Sequence, residues 1–361
     1  MALLIGNNSY DHLGDLMCTN NDVLAISEVL RKLGFHIFAM MNLTLVEMIN
    51  ATKWFFKVVP QNAYVLFYFA GHGFEFGEKF MMPVDCPEKT YTRKDCFCDK
   101  ELIQTALEAS PCLLVMILDM CLQPPSEENK EIYAEKAIVY QYKPEEHDII
   151  TFTSTSSHQN AYERPRSKNG LLVQHLIKHL EEYNDVNTIL RSTQEDFKRN
   201  HDSKYQKPTL ISNTSTIYKL TDSVPEDEKL IKSIRSLTSL SVTLNLKFSR
   251  VNFSSSIHLS HHKSCFLNSI DLVFPSAFNR WIITADINTE NSSYVWWCCK
   301  DTNNFDENLV LTIHNIQKAK TKVCITIKLN ETMENLVDYT DVELPIPISQ
   351  QSLWYKKETQ Q

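Results

Sequence analysis

Two hydrophobic patterns divide this chain of 361 residues. From Ala2 to about Ser215, short apolar runs alternate with segments of helical period. The runs are Ala2–Ile5, Ile37–Met41, Ala63–Ala70, Leu113–Met120, Asp148–Thr153 and, more weakly, Thr209–Ser212. A run without polar alternates, such as Tyr64-Val65-Leu66-Phe67-Tyr68-Phe69, predicts a strand buried on both faces. Between the runs, Asn21–Leu33 carries Val23, Ile26, Leu30 and Leu33 on one face, with Asn at its start and Gly34 after its end. Val46–Val59, Lys100–Ala109, Leu171–Glu182 and Val186–Asn200 predict further helices. Strands alternating with helices imply a mostly parallel sheet covered on both faces.

From about Ser239 the period changes to two. Val242, Leu244, Leu246 and Phe248 alternate with polar residues, as do Val323, Ile325, Ile327 and Leu329. Six to eight such segments without intervening helices predict an antiparallel sandwich, with Trp296 and Trp297 as core candidates. Pro225–Leu237 is charged and helical in period (Leu230, Ile234, Leu237), which predicts a linking helix. The organisation expected is an α/β domain over 1–220, a linker over 221–238, a β-sandwich over 239–350 and a tail over 351–361. Leu122–Asp148, rich in Pro, Glu, Lys and Tyr, reads as a loop inside the first domain.

Composition narrows the function. A formal charge of −8 and no basic run with interleaved aromatics exclude a nucleic-acid surface. No apolar run approaches the roughly 18 residues of a membrane span. The opening Met-Ala-Leu-Leu-Ile-Gly-Asn lacks the basic start and cleavage site of a signal peptide, and it enters a strand so directly that the chain reads as a trimmed piece. The ten cysteines are scattered, several inside apolar runs (Cys112, Cys324), which predicts a reducing, cytoplasmic setting. Cys96-Phe97-Cys98 and Cys298-Cys299 lack paired CxxC spacing, so neither a metal nor another cofactor is expected.

Glycine is scarce, at seven residues, yet Gly71, Gly73 and Gly77 fall within Tyr-Phe-Ala-Gly-His-Gly-Phe-Glu-Phe-Gly at 68–77. The strand before it ends on His72, and the run Leu113–Leu118 ends on Asp119-Met120-Cys121. Sites in open α/β sheets form at such C-terminal strand edges. A thiol becomes a nucleophile when deprotonated, and a nearby imidazole supplies the base and later protonates the leaving amine. Glycines beside the base leave room for a substrate carbonyl, and the N–H groups of Gly73 and Cys121 are candidate oxyanion donors. Taken singly, a histidine or a cysteine after a strand is an ordinary loop or core residue; the paired placement carries the reading. Some cysteine proteases set the histidine roughly 50 residues upstream of the cysteine, as here.

The motifs Ala2-Leu-Leu-Ile-Gly-Asn7, Tyr68-Phe-Ala-Gly-His-Gly73, Phe80-Met-Met-Pro-Val-Asp85 and Leu118-Asp-Met-Cys121 resemble those of the paracaspases. The resemblance implies a caspase-like, mostly parallel six-stranded sheet with helices on both faces, followed by an immunoglobulin-like β-sandwich. It implies a His72–Cys121 dyad, and a pocket for a substrate arginine made by Asp22, Asp119 and Glu163. Guanidinium is planar, always charged and suited to carboxylates, so an acidic pocket reverses caspase selectivity for aspartate. Each acid also has a plain alternative: Asp22 as a helix-dipole carboxylate, Glu163 as a solvated loop charge, Asp119 as a strand-end acid paired elsewhere. Leu122-Gln123-Pro124 departs from the basic residues that often follow the family's cysteine. The caspase signature Gln-Ala-Cys-Arg-Gly is absent.

The resemblance further implies cytosolic signalling substrates, dimerisation through the edge strand at Thr209–Ser212, and adaptor or ubiquitin binding by the sandwich. Activation by dimerisation and loop ordering is expected, rather than by chain cleavage. Calcium activation is not, since Glu127-Glu128 and Glu145-Glu146 lack EF-hand spacing. The competing function is a signalling scaffold with a caspase-like fold and little or no turnover.

Overall fold

A computed structural model describes the chain except residues 130–131, 133–139, 144–145, 165, 223–227, 229–230, 233, 235–239, 263–264, 289–295, 300–308, 319–322, 333 and 345–361, and except the side chains of 262 and 296–299. It divides into two compact units, Met1–Glu228 and Lys229–Gln361.

In the first unit, strands β1 (Ala2–Gly6), β2 (Ile37–Met41), β3 (Tyr64–Ala70), β7 (Leu113–Asp119), β8 (Ile149–Thr153) and β9 (Thr209–Ser212) form a six-stranded sheet in the order β2-β1-β3-β7-β8-β9. All neighbours are parallel except β8 and β9. Leu3, Leu4, Ile5, Phe67, Tyr68 and Phe69 have no exposed surface, as expected for central strands covered on both faces. Helices α1 (Thr19–Lys32), α2 (Leu45–Val58), α3 (Asp99–Glu108), α4 (Leu171–Leu176) and α5 (Val186–Arg199) supply that cover. Local chemistry sets their ends. Thr44 and Glu47 make a capping box at α2, and Asp185 accepts the Thr188 N–H at α5. Gly34, at φ +83°, follows α1 in the left-handed turn that only glycine takes without strain.

Three details differ from the sequence expectation. The first helix begins at Thr19, not Asn21, because an acceptor from a distant loop serves its N-terminus, as described below. The fourth helix stops at Leu176, and the chain continues in turns to Asn184. A small antiparallel sheet, β4 (Gly73–Phe76), β5 (Glu78–Met81) and β6 (Phe97–Cys98), projects beyond the end of β3. Its hairpin turns at Gly77, with φ +76° and open space where a Cβ would lie.

The second unit is a β-sandwich. Strands β10 (Ser241–Phe248), β11 (Phe253–His262), β12 (Phe266–Phe274), β15 (Leu309–His314) and β14 (Trp296–Cys299) pair antiparallel in that order. Strands β13 (Ile282–Asn288), β16 (Cys324–Thr332) and β17 (Asn335–Glu343) make a second antiparallel sheet. Both contribute to one core, with Phe248, Ile257, Ile270, Leu272 and Leu311 from the first, and Ile283, Ile325, Ile327 and Leu329 from the second. The indoles of Trp296 and Trp297, most of 221–238 and all of 351–361 lie outside the described residues.

Candidate active site

Strands β3 and β7 are parallel neighbours, and Ala70 pairs with Asp119 at their last rungs. The chain therefore leaves the sheet as Gly71-His72-Gly73 on one strand and Met120-Cys121 on the next. The Gly71 N–H still donates to the Asp119 carbonyl, at 3.3 Å. His72 is fixed from two sides. Its backbone N–H donates to the Tyr10 hydroxyl at 2.7 Å, and its ring lies 4.6 Å from the Tyr10 ring centroid. Its Nε2 lies 2.7 Å from the carbonyl oxygen of Gly14. A carbonyl only accepts, so Nε2 carries the proton of the neutral ring and Nδ1 carries the lone pair. Cys121 is held by the loop after β8: the Ala161 N–H donates to its Sγ at 3.3 Å. Burial pushes the Cys121 thiol up, Asp119 adds to this, and the Ala161 N–H opposes it.

The three acids meet around a residue that the sequence did not single out. Cys18 sits at the N-terminus of α1, and its thiol is pushed up to about 12, first by burial and then by Glu163, Asp22 and Asp119 together. Asp22 is buried; its carboxylate accepts from Asn169 Nδ2 at 2.9 Å and from the Gly170 N–H at 2.9 and 3.1 Å. A methyl group on Gly170 would lie 2.8 Å from Asp22 Oδ2 and 3.7 Å from Asp119 Oδ2, so both carboxylates crowd one backbone point. Asp119 is half-buried at the end of β7, with the Tyr68 hydroxyl 3.5 Å from its Oδ2. Burial raises the pKa of both Asp22 and Asp119 well above the usual carboxylate range. Repulsion from Asp119 adds to the shift of Asp22, and repulsion from Glu163 to both. Glu163 is no free loop charge: it accepts from the Met17 and Cys18 N–H groups at 2.8 and 2.7 Å. It thereby replaces a side-chain cap at the start of α1. No group of metal-ligating residues occurs among the described residues.

Comparison with known proteins identifies the family. The caspase domain family, Peptidase C14, matches residues 1–218. The chain belongs to the caspase-domain family. It is paracaspase-like within it: it is 31 % identical over 228 residues to the mucosa-associated lymphoid tissue lymphoma translocation protein 1 homolog of Mus musculus, covering 62 % of this chain and 27 % of that one. To the Homo sapiens protein it is 30 % identical over 238 residues, covering 65 % and 28 %. The chain thus spans little more than a quarter of the length of these relatives. A crystal structure of caspase-1 from Spodoptera frugiperda superposes with a TM-score of 0.46 at 18 % identity, covering 61 % of this chain and 88 % of that one, too loose to add to the assignment. The chain thus carries the domain of a cysteine-type peptidase family.

The glycines around His72 need a different account from the one the sequence suggested. A Cβ on Gly71 would lie 2.6 Å from both Phe69 Cζ and the Tyr10 hydroxyl. One on Gly73 would collide with Met120 Sδ and lie 2.8 Å from the Phe80 carbonyl. The chain's own side chains, rather than a substrate, fill both spaces. Gly73→Ala is therefore expected to destabilise the fold by about 1–3 kcal/mol through overpacking. Urea unfolding measures it, and an unchanged midpoint would contradict the packing account. Tyr10, Gly14, Ala161, Asn169 and Gly170 escaped sequence reasoning because they act mostly through backbone groups or as partners brought in by the fold.

Proposed function

We propose that this chain is a cysteine endopeptidase that cleaves after arginine. In this reading His72 Nδ1 takes the proton of Cys121, and the thiolate attacks the carbonyl carbon of the P1 arginine. The oxyanion is held by the N–H groups of Gly73 and Cys121. The imidazolium then returns its proton to the leaving amine, and water hydrolyses the acyl-enzyme. The observation that carries the reading is the gathering of Asp22, Asp119 and Glu163 around Cys18, beside strand ends bearing a cysteine and a histidine. Carboxylates that repel one another when the pocket is empty gain most from a bound guanidinium, and reject an aspartate.

Dimerisation through Thr209–Ser212 belongs to the same proposal. This strand pairs with β8 on one side, and Ile211 is 56 % exposed, so a second copy would cover an apolar edge. The sandwich is proposed to be immunoglobulin-like, to bind adaptors or ubiquitin, and to act with the protease domain in cytoplasmic signalling, where the substrates would lie. The scaffold alternative draws on the resting site, where Cys121 is a half-buried thiol engaged by Ala161. A peptidyl-arginine acyloxymethyl ketone decides between them, because it needs both the nucleophile and the pocket. It is expected to alkylate Cys121, read by mass spectrometry of the peptides, and to spare the other cysteines. Absence of Cys121 labelling under dimer-promoting conditions favours the scaffold.

A further inference from the structure

The loop leaving β8 touches both the cysteine and the acidic part of the site. Its backbone exchanges hydrogen bonds with Leu122, from the Leu122 N–H to the Gln159 carbonyl and from the His158 N–H to the Leu122 carbonyl, both at 2.9 Å. Beyond that, contacts alternate along the chain. Ala161 and Glu163 face the site, the first donating to Cys121 Sγ and the second accepting from Met17 and Cys18. Tyr162 and Arg164 engage a different structure. The Tyr162 N–H donates to Gln206 Oε1 at 2.9 Å, and the Arg164 guanidinium pairs with the Asp202 carboxylate. This two-residue period is that of extended chain, in which successive residues address opposite sides.

The structure behind Arg164 is buried and charged. Asp202 is 2 % exposed and Gln206 1 %. The second Asp202 oxygen lies 2.9 Å from Nε2 of His175, itself buried on α4 with its ring 4.6 Å from the Phe197 ring of α5. On the other side of the imidazole, Lys178 Nζ is 3.4 Å from Nδ1, and Asp196 lies 3.9 Å away. A buried carboxylate needs its partners, so this is unlike an exposed pair that contributes almost nothing. Arg164 itself is half-exposed, which leaves the guanidinium free to be replaced without opening the core.

We infer that the Arg164–Asp202 ion pair, backed by His175, clamps the segment His158–Arg164 against Cys121 and the carboxylates, making Arg164 and Asp202 positioning residues. Neither touches the reacting atoms. They fix where the Ala161 N–H and the Glu163 carboxylate stand. The clamp follows from the contacts alone; its consequence for turnover rests on the proteolytic reading above.

Hydrogen exchange of the whole chain, resolved to 158–164, tests the clamp without reference to catalysis. In Arg164→Ala and in Asp202→Asn, the Ala161 and Tyr162 amides are expected to exchange about tenfold faster or more, while β3 and β7 stay unchanged. With a peptidyl-arginine substrate, and at a temperature where each variant is shown to be fully folded, Arg164→Ala is expected to lower kcat/KM about tenfold, and Arg164→Lys to regain most of the kcat/KM and exchange effects. Unaltered exchange in both variants overturns the clamp. Faster exchange with kcat/KM equal to that of an active wild type overturns the positioning role. A wild type that cleaves no arginine peptide counts against the proposed function, while the exchange result still decides the clamp.

Discussion

Cys121→Ala is expected to reduce peptide turnover to background, a loss on the order of 10^5–10^6-fold, and His72→Ala nearly as much. The two losses are not additive, because each residue is useless without the other. In the proposed mechanism the geometry gives His72 a defined polarity as the base. Gly14 holds Nε2–H at 2.7 Å, leaving Nδ1 as the nitrogen able to accept the thiol proton. In the resting site burial pushes the Cys121 thiol up, against the Ala161 N–H and with a further push from Asp119, which favours a mechanism in which a base takes the proton. His72→Gln keeps a donor for Gly14 but supplies no base, and should be as inactive as His72→Ala. A glutamine variant that retains turnover would mean that Cys121 ionises without His72. Steady-state cleavage of a fluorogenic arginine peptide under dimer-promoting conditions gives all three values.

Pocket substitutions are expected to have the next largest effect. Asp119→Asn and Asp22→Asn should each lower kcat/KM toward an arginine peptide by about 10^2–10^3-fold, the scale of removing one member of a desolvated charge pair. The same changes should stabilise the empty protein. Both carboxyl groups are raised above their unfolded values, chiefly by burial. The folded state therefore binds more protons than the unfolded chain, and its stability falls as pH rises through the folded values. At pH 8 the double asparagine variant is expected to be more stable than wild type by about 2 kcal/mol, with the difference vanishing near pH 4. Cation binding has the opposite sign, since only the ionised pocket attracts it. Benzamidine should bind more tightly as pH rises from 5 to 8. Binding that weakens over that interval would contradict the assignment, as would a double variant less stable than wild type at pH 8.

Much of this was legible in the sequence, for physical reasons that can be named. A strand buried on both faces leaves no room for polar residues, so Leu113–Asp119 and Tyr64–Ala70 stood out, and with them the residues at which they end. Asp119 closing such a strand already required a partner. The sandwich was visible because one solvated face enforces alternation, as in Val323–Leu329. The start of α1 was misplaced because its cap, Glu163, lies 145 residues away from Cys18; propensity sees only neighbours. The pairing of β4, β5 and β6 into a sheet was not legible because its strands are two to four residues long. Gly71 and Gly73 were correctly singled out but for another reason, since no sequence pattern reveals that Tyr10 and Met120 fold back to occupy their missing side chains. The pairing of Arg164 with Asp202 joins two unremarkable surface-type residues, and only the fold buries one of them.

The central claim is that three carboxylates beside a cysteine–histidine pair select arginine. Its most direct test is the ratio of kcat/KM for two fluorogenic peptides identical except for arginine or aspartate at the cleaved position, measured on the dimerised chain with Cys121→Ala as background. An arginine-to-aspartate ratio of at least about 10^3 is expected, from attraction to the first and repulsion of the second. A ratio near one, or below it, would contradict the account.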